Sequence, residues 1–192
     1  MGYAIHWVAV EGSELEALSA ALGLRLTGRQ EELPESPVVG ARLPSGWSLV
    51  LTNRSTVGER KLQRVSTSRE VLSFFGETHV MFSTLAAWRA GDILWSVTHD
   101  ASKGLGHLET EGPVPAAFGA IRETLTAELA GAGGAASRAD YLFDAPIDLG
   151  RQLTGFAVED ENPGVSFEIL EPAGKPPGAG FFSRLFGKRD KE

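Results

Sequence analysis

Residues 79–100, HVMFSTLAAWRAGDILWSVTHD, decide the fold. Both halves alternate with the period of two that marks a strand. In the second half Ile93, Trp95, Val97 and His99 fall on one face, and Leu94, Ser96, Thr98 and Asp100 on the other. In the first half Val80, Phe82, Thr84, Ala86 and Trp88 share a face. β-Branched and aromatic residues crowd both arms, as a pleated surface favours. The stretch therefore predicts one long β-hairpin turning at Arg89-Ala90-Gly91-Asp92. Two registers compete. A two-residue loop at Ala90-Gly91 pairs Trp88 with Ile93, Ala86 with Trp95, Thr84 with Val97 and Phe82 with His99, but asks Ala90 for a positive φ. A three-residue loop with Gly91 left-handed relieves Ala90 and puts Met81, Leu85 and Ala87 on the face of Trp95. Both faces of the first arm are apolar, which marks a central strand.

Outward from the hairpin, hydrophobic patterning supplies further sheet elements. Tyr3 to Val10 reads as a strand, and Ser13-Glu14-Leu15-Glu16 as a capping box opening a helix with Leu15, Leu18 and Leu22 on one stripe and Gly23 as its stop. Leu24 to Thr27 reads as a short strand and Gly28 to Pro37 as a polar loop. Val38 to Leu43 and Trp47 to Thr52 form a second hairpin turning at Pro44-Ser45-Gly46. Thr67-Ser68-Arg69-Glu70 looks like another capping box, predicting a short helix through Phe75 that Gly76 ends. His107 to Glu111 is a third antiparallel strand. Pro115 opens a helix with Phe118, Ile121, Leu125 and Leu129 at helical spacing. Tyr141 to Phe143 reads as a short strand, Asp144 or Ala145 as the cap of a helix ending near Gly155, and Phe156–Val158 and Val165–Leu170 as closing strands. The fold class is α+β: a largely antiparallel sheet of hairpins with helices packed on one face, followed by a flexible C-terminal tail.

The 192 residues suit a single domain, residues 1–170, able to bury roughly 70% of its unfolded surface without staples. No cysteine is present, which removes disulfides, thiolate metal sites and cysteine nucleophiles. The opening residues lack the pattern of a secretory signal, and no apolar run reaches bilayer length, so a cytoplasmic location is expected. Richness in alanine, glycine and arginine points to a bacterial source. Net charge is −7. Residues 1–170 carry 13 cations against 22 acids, a net −9, while residues 171–192 carry a net +2. An acidic body argues against nucleic acid as a partner and fits a basic protein.

Candidate chemistry is sparse. His99 ends one strand and His107 begins the next, with Asp100 and Glu109 beside them. Two imidazoles and two carboxylates flanking one loop are the materials of an acid–base pair or a metal-assisted hydrolase. The spacing matches no metal motif, and neighbours on a strand face opposite ways, so ordinary polar residues at a sheet rim compete with that reading, and no metal or cofactor is expected. Arg54, Arg60, Lys61, Arg64 and Arg69 form the body's one concentrated basic stretch, read either as a phosphate site or as a solvated helix face. Gly104-Leu105-Gly106 lacks the rest of a phosphate loop, and no nucleophile elbow or zinc-protease motif occurs.

The ending carries more information. Residues 171–180, EPAGKPPGAG, are a proline- and glycine-rich linker. Residues 181–192 are a short amphipathic peptide: as a helix, Phe181, Phe182, Leu185 and Phe186 share a face and Arg184 and Lys188 lie towards the other. Such a peptide is too short to hold a helix alone in water and calls for a surface: its own domain, a groove on another protein, or an anionic membrane. The expectation is a non-enzymatic cytoplasmic protein-binding module, of the kind an immunity protein or regulatory adaptor represents, with a C-terminal docking peptide. The alternatives are the hydrolase at His99 and His107 and peripheral membrane association through the tail.

Overall fold

A computed structural model describes residues 2–160 and 164–174. Among the described residues nine strands form one antiparallel sheet: β1 (Ala4–Glu11), β2 (Leu24–Glu31), β3 (Val38–Arg42), β4 (Trp47–Asn53), β5 (Val71–Glu77), β6 (Phe82–Arg89), β7 (Asp92–Asp100), β8 (Glu109–Glu111) and β9 (Phe167–Pro172). Their order across the sheet is β2-β9-β3-β4-β1-β5-β6-β7-β8. Four helices accompany them: α1 (Leu15–Ala21), α2 (Glu59–Val65), α3 (Phe118–Gly131) and α4 (Ala145–Thr154). The α+β class with an antiparallel sheet is as the sequence indicates.

The helices divide between the two faces of the sheet rather than sharing one. Val8, Val10, Val50, Val71, Trp88 and Leu170 pack against Leu18 and Leu22 of α1 and Leu62 and Val65 of α2. Trp7, Ala9, Leu49, Leu51, Phe74, Leu85 and Val97 pack against Phe118, Leu125 and Leu129 of α3 and Ile147 and Leu149 of α4. The cause is visible in β1, where Trp7, Val8, Ala9 and Val10 are consecutive and each at most 2% exposed. A strand apolar at every position needs cover on both sides.

The hairpin combines the two registers. Its loop is the two-residue Ala90-Gly91 turn, with φ of 55° and 89°, the left-handed pair of a type I′ turn. Trp88 faces Ile93, but a bulge follows, and Ala87 then pairs with Trp95, Leu85 with Val97 and Ser83 with His99. Leu94 is the extra residue on β7. The bulge resolves the conflict between turn and core. The short loop is kept, while Leu85, Ala87, Trp95, Val97 and His99 all turn to the α3–α4 face.

Several local expectations are corrected. Residues 71–75 are not a helix: β5 lies between β1 and β6, and its apolar run serves both sheet faces. A run of that length does not separate helix from strand by periodicity. Gly76 is interior to the strand, because a Cβ there would meet the Phe74 ring at 2.7 Å. Residues 142–144 form a 3-10 turn rather than a strand. Phe156 and Ala157 are buried without pairing, so only the second closing strand, β9, exists. β2 runs on to Glu31, through a bulge where the Gly28 N–H donates to Glu168 Oε1. At α1 the Ser13 hydroxyl does not cap the helix; Glu14 is the N-cap residue, without a side-chain bond. Glu171 and Pro172, the first two residues of the expected linker, belong to β9. The tail peptide, residues 181–192, lies outside the described residues.

Candidate functional site

His99 is fully buried at the end of β7. Its Nδ1 lies 2.6 Å from the His107 carbonyl oxygen, and its Nε2 lies 2.8 Å from Asp140 Oδ2. A carbonyl only accepts, so Nδ1 carries a proton and donates it. Nε2 faces a carboxyl oxygen, so a second proton lies in that contact. Asp140 is itself held, its Oδ1 accepting from the Phe143 N–H at 3.3 Å, and its side chain is 6% exposed. This carboxylate stands 41 residues from His99, on the connection between α3 and α4. No local signal marks it; only the docking of that connection onto the sheet brings it in.

His107 does turn towards the same loop, with ring centroids 6.2 Å apart. Its Nδ1 accepts from the Asp100 backbone N–H at 3.0 Å, which places the proton of a neutral ring on Nε2. That nitrogen is 3.7 Å from Glu109 Oε2, which also meets Lys103 at 3.5 Å. The Asp100 carboxylate points into the turn instead, where Oδ1 accepts from both the Ser102 N–H and its hydroxyl. The Ser102 hydroxyl, foremost, holds the Asp100 carboxyl below its usual range. The four residues named from sequence are therefore neighbours. Yet the ring nitrogens that a metal or a general base would use are occupied: His99 Nδ1 donates to the His107 carbonyl, His99 Nε2 is bonded to Asp140, and His107 Nδ1 accepts from the Asp100 N–H. The arrangement is a clamp that fastens the loop after β7 and the α3–α4 connection to the sheet.

The other buried histidine shows the opposite logic. His6 Nδ1 accepts from the Val57 N–H at 2.9 Å, so its neutral ring carries the proton on Nε2 and gives it to Ser73 Oγ at 2.8 Å. That is the wrong tautomer for activating a serine. Burial pushes His6 down to about 4.

The basic stretch is largely structural. Lys61 Nζ and Arg64 Nη2 donate to the Leu22 and Ala21 carbonyls, each at 2.8 Å. They satisfy the open carbonyls at the end of α1 and oppose its dipole. Arg69 donates to Ser13 Oγ at 3.1 Å, near the other end of the same helix.

Negative charge gathers where α4 begins. Burial pushes the Asp144 carboxyl up to about 6, and Asp148, Glu159 and Asp140 add to that rise while Arg151 opposes it. Arg151 is shared, at 2.5 Å from Asp148 and 3.4 Å from Asp160. Across this group Tyr3 donates its hydroxyl to Glu159 Oε1 at 2.5 Å, and burial, with Glu159 next, raises the Tyr3 phenol above its usual range. The acidity of the whole body is legible in the sequence but its concentration here is not, since the connection before α4, α4 itself and the residues after it each contribute separately. Among the described residues no helix is long and apolar enough to cross a membrane, and no group of three or more histidine, aspartate and glutamate side chains is arranged to hold a metal ion. No protein-family model, curated protein or solved structure matches the chain.

Proposed function

We propose that the chain is a non-enzymatic protein-binding module whose partner is a basic protein met at the acidic face formed by Asp144, Asp148 and Glu159. The observation that carries this reading is the gathering of Asp144, Asp148, Glu159 and Asp140 at the start of α4, where burial first and then the three neighbouring acids raise the Asp144 carboxyl against the opposing charge of Arg151. Crowding of that kind raises the free energy of the unbound protein. A cationic surface would relieve it, and the net −9 of residues 1–170 would steer that surface in. The amphipathic peptide Phe181–Phe186, with Arg184 and Lys188, follows a linker and supplies a second point of attachment, raising avidity without enlarging the first interface. The commitment of His99 and His107 to structural hydrogen bonds also favours binding over hydrolysis.

The test is charge reversal. Asp144→Lys with Asp148→Lys, in the full chain, is compared with the native protein for capture of proteins from lysate of the source organism at two salt concentrations. The expected result is a basic partner recovered by the native chain at low salt, weakened by salt and lost on reversal. A partner retained equally by both chains would overturn the acidic-face reading.

A further inference from the structure

A cavity of about 160 Å³ opens between α1 and α2, on the opposite side of the sheet from α3 and α4. The buried side chains of Val10, Leu18 and Val65 form its apolar wall, and Arg64, Ser68 and Arg69 border it. Arg64 gives one N–H to Ala21, and Arg69 one to Ser13. A guanidinium has five N–H donors in a planar fork, so each retains several. Among the described residues neither forms an ion pair with a carboxylate. Two like charges without a carboxylate partner border one apolar hollow, and the low-dielectric wall strengthens their attraction for an anion.

The chemistry of this hollow is two-sided. Its volume is close to that of engineered apolar cavities that take a six-carbon ring, and well below the roughly 300 Å³ at which ordinary drug-sized pockets begin. A simple inorganic anion would leave the Val10–Leu18–Val65 wall unfilled, and a hydrocarbon would leave the guanidinium groups unmatched. We infer that the cavity binds an aliphatic carboxylate: an apolar body of about four to six carbons against the wall, with the carboxylate oxygens accepting from Arg64, Arg69 and the Ser68 hydroxyl. Two sources share this chemistry, a free short-chain acid and the aliphatic C-terminal residue of a peptide. The inference is independent of the acidic face, which lies with α4 and uses none of these residues.

Methyl NMR titration of the full chain tests it, with 3-methylbutanoate, 3-methylbutanol, inorganic phosphate, N-acetylleucine and N-acetylleucinamide as probes. Saturable shifts at the Val10, Leu18 and Val65 methyls are expected with the two acids, and binding at least about tenfold weaker with the alcohol and the amide. Arg69→Gln should weaken the acids by a similar factor. Ala17→Leu, which fills the hollow from an exposed position on α1, should abolish binding while the remaining spectrum stays native. Tighter binding of N-acetylleucine assigns the site to a peptide terminus, and tighter binding of 3-methylbutanoate to a free acid. Absence of saturable shifts with millimolar acid, equal binding of the alcohol, or equal binding of phosphate would each overturn the inference.

Discussion

Acidification should unfold this protein partly through one ring. His6 is 5% exposed, on β1 at the centre of the sheet, with Nδ1 filled by the Val57 N–H and Nε2 bonded to Ser73. Protonation would put a buried charge there and turn Nδ1 from an acceptor into a donor facing another donor. Burial accordingly lowers the ring from 6.5 to about 4. As pH falls, the unfolded ring takes up its proton before the folded one does. Between those two values the unfolded state binds more protons, so stability falls with pH across that window and is unaffected by this ring above it. The gap corresponds to about 3 kcal/mol, of which about 2 kcal/mol is lost by pH 5. That is a large part of the ~5–15 kcal/mol typical of a domain. Urea unfolding of the native protein and of His6→Asn, at steps from pH 8 to pH 4, isolates the effect, because the carboxylates are common to both. Asparagine costs some stability at every pH, since Ser73 loses its donor. The difference between the two proteins should nevertheless shrink by about 2 kcal/mol between pH 7.5 and pH 5. Parallel curves would refute the buried neutral ring.

Other perturbations address separate features. Asp140→Ala leaves His99 buried opposite an empty space and should cost about 3–5 kcal/mol, while Asp140→Asn, whose amide N–H can donate to the unprotonated Nε2 of a neutral ring, should cost about 1–2 kcal/mol; thermal unfolding of both distinguishes the clamp from a passive contact, which would make the two losses equal. Ala90→Gly relieves the left-handed φ of 55° in the hairpin loop and should stabilise by about 1 kcal/mol in urea unfolding; a loss would mean the turn is not strained. Asp144→Asn removes a charge that burial, and then its acidic neighbours, disfavour. The Asp144 side chain keeps contact with solvent, so screening leaves a gain of under about 1 kcal/mol at pH 7.5, and the gain should shrink as pH falls below about 6 and vanish below about 3, where the carboxyl is protonated on both sides of the unfolding equilibrium. A variant less stable than native at pH 7.5 would contradict the crowding.

What the sequence reveals about this fold depends on the range of the forces involved. The Trp47–Asn53 and Asp92–Asp100 strands, the α3 stripe of Phe118, Leu125 and Leu129, and the stop of α4 at Gly155 are written locally, in alternation, helical spacing and a left-handed glycine. β5 was hidden because Val71-Leu72-Ser73-Phe74-Phe75 is apolar without a period, and Thr67 to Glu70 imitates a helix start. The bulge at Leu94 was hidden because it settles a contest between turn geometry and burial that neither arm displays alone. The cover on both faces was foreshadowed by the unbroken apolar run in β1. At the candidate site, the proximity of His99 and His107 was legible from adjacent strand ends. The role of the pair was not, because it is set by Asp140 and by backbone groups of His107 and Asp100. The acidic face has the same character: Asp144 and Asp148 are local to α4, but Tyr3 and Glu159 reach it through the fold.

The central claim is that the acidic face and the C-terminal peptide together hold a protein partner. The most direct measurement is the affinity of the partner captured from lysate for three proteins: the full chain, the chain ending at Gly174, and the full chain carrying Asp144→Lys with Asp148→Lys. Losing either attachment should weaken the complex by at least tenfold, since the second contact acts through effective concentration, and the loss on charge reversal should shrink as salt rises. A complex of unchanged affinity in all three proteins would contradict the account.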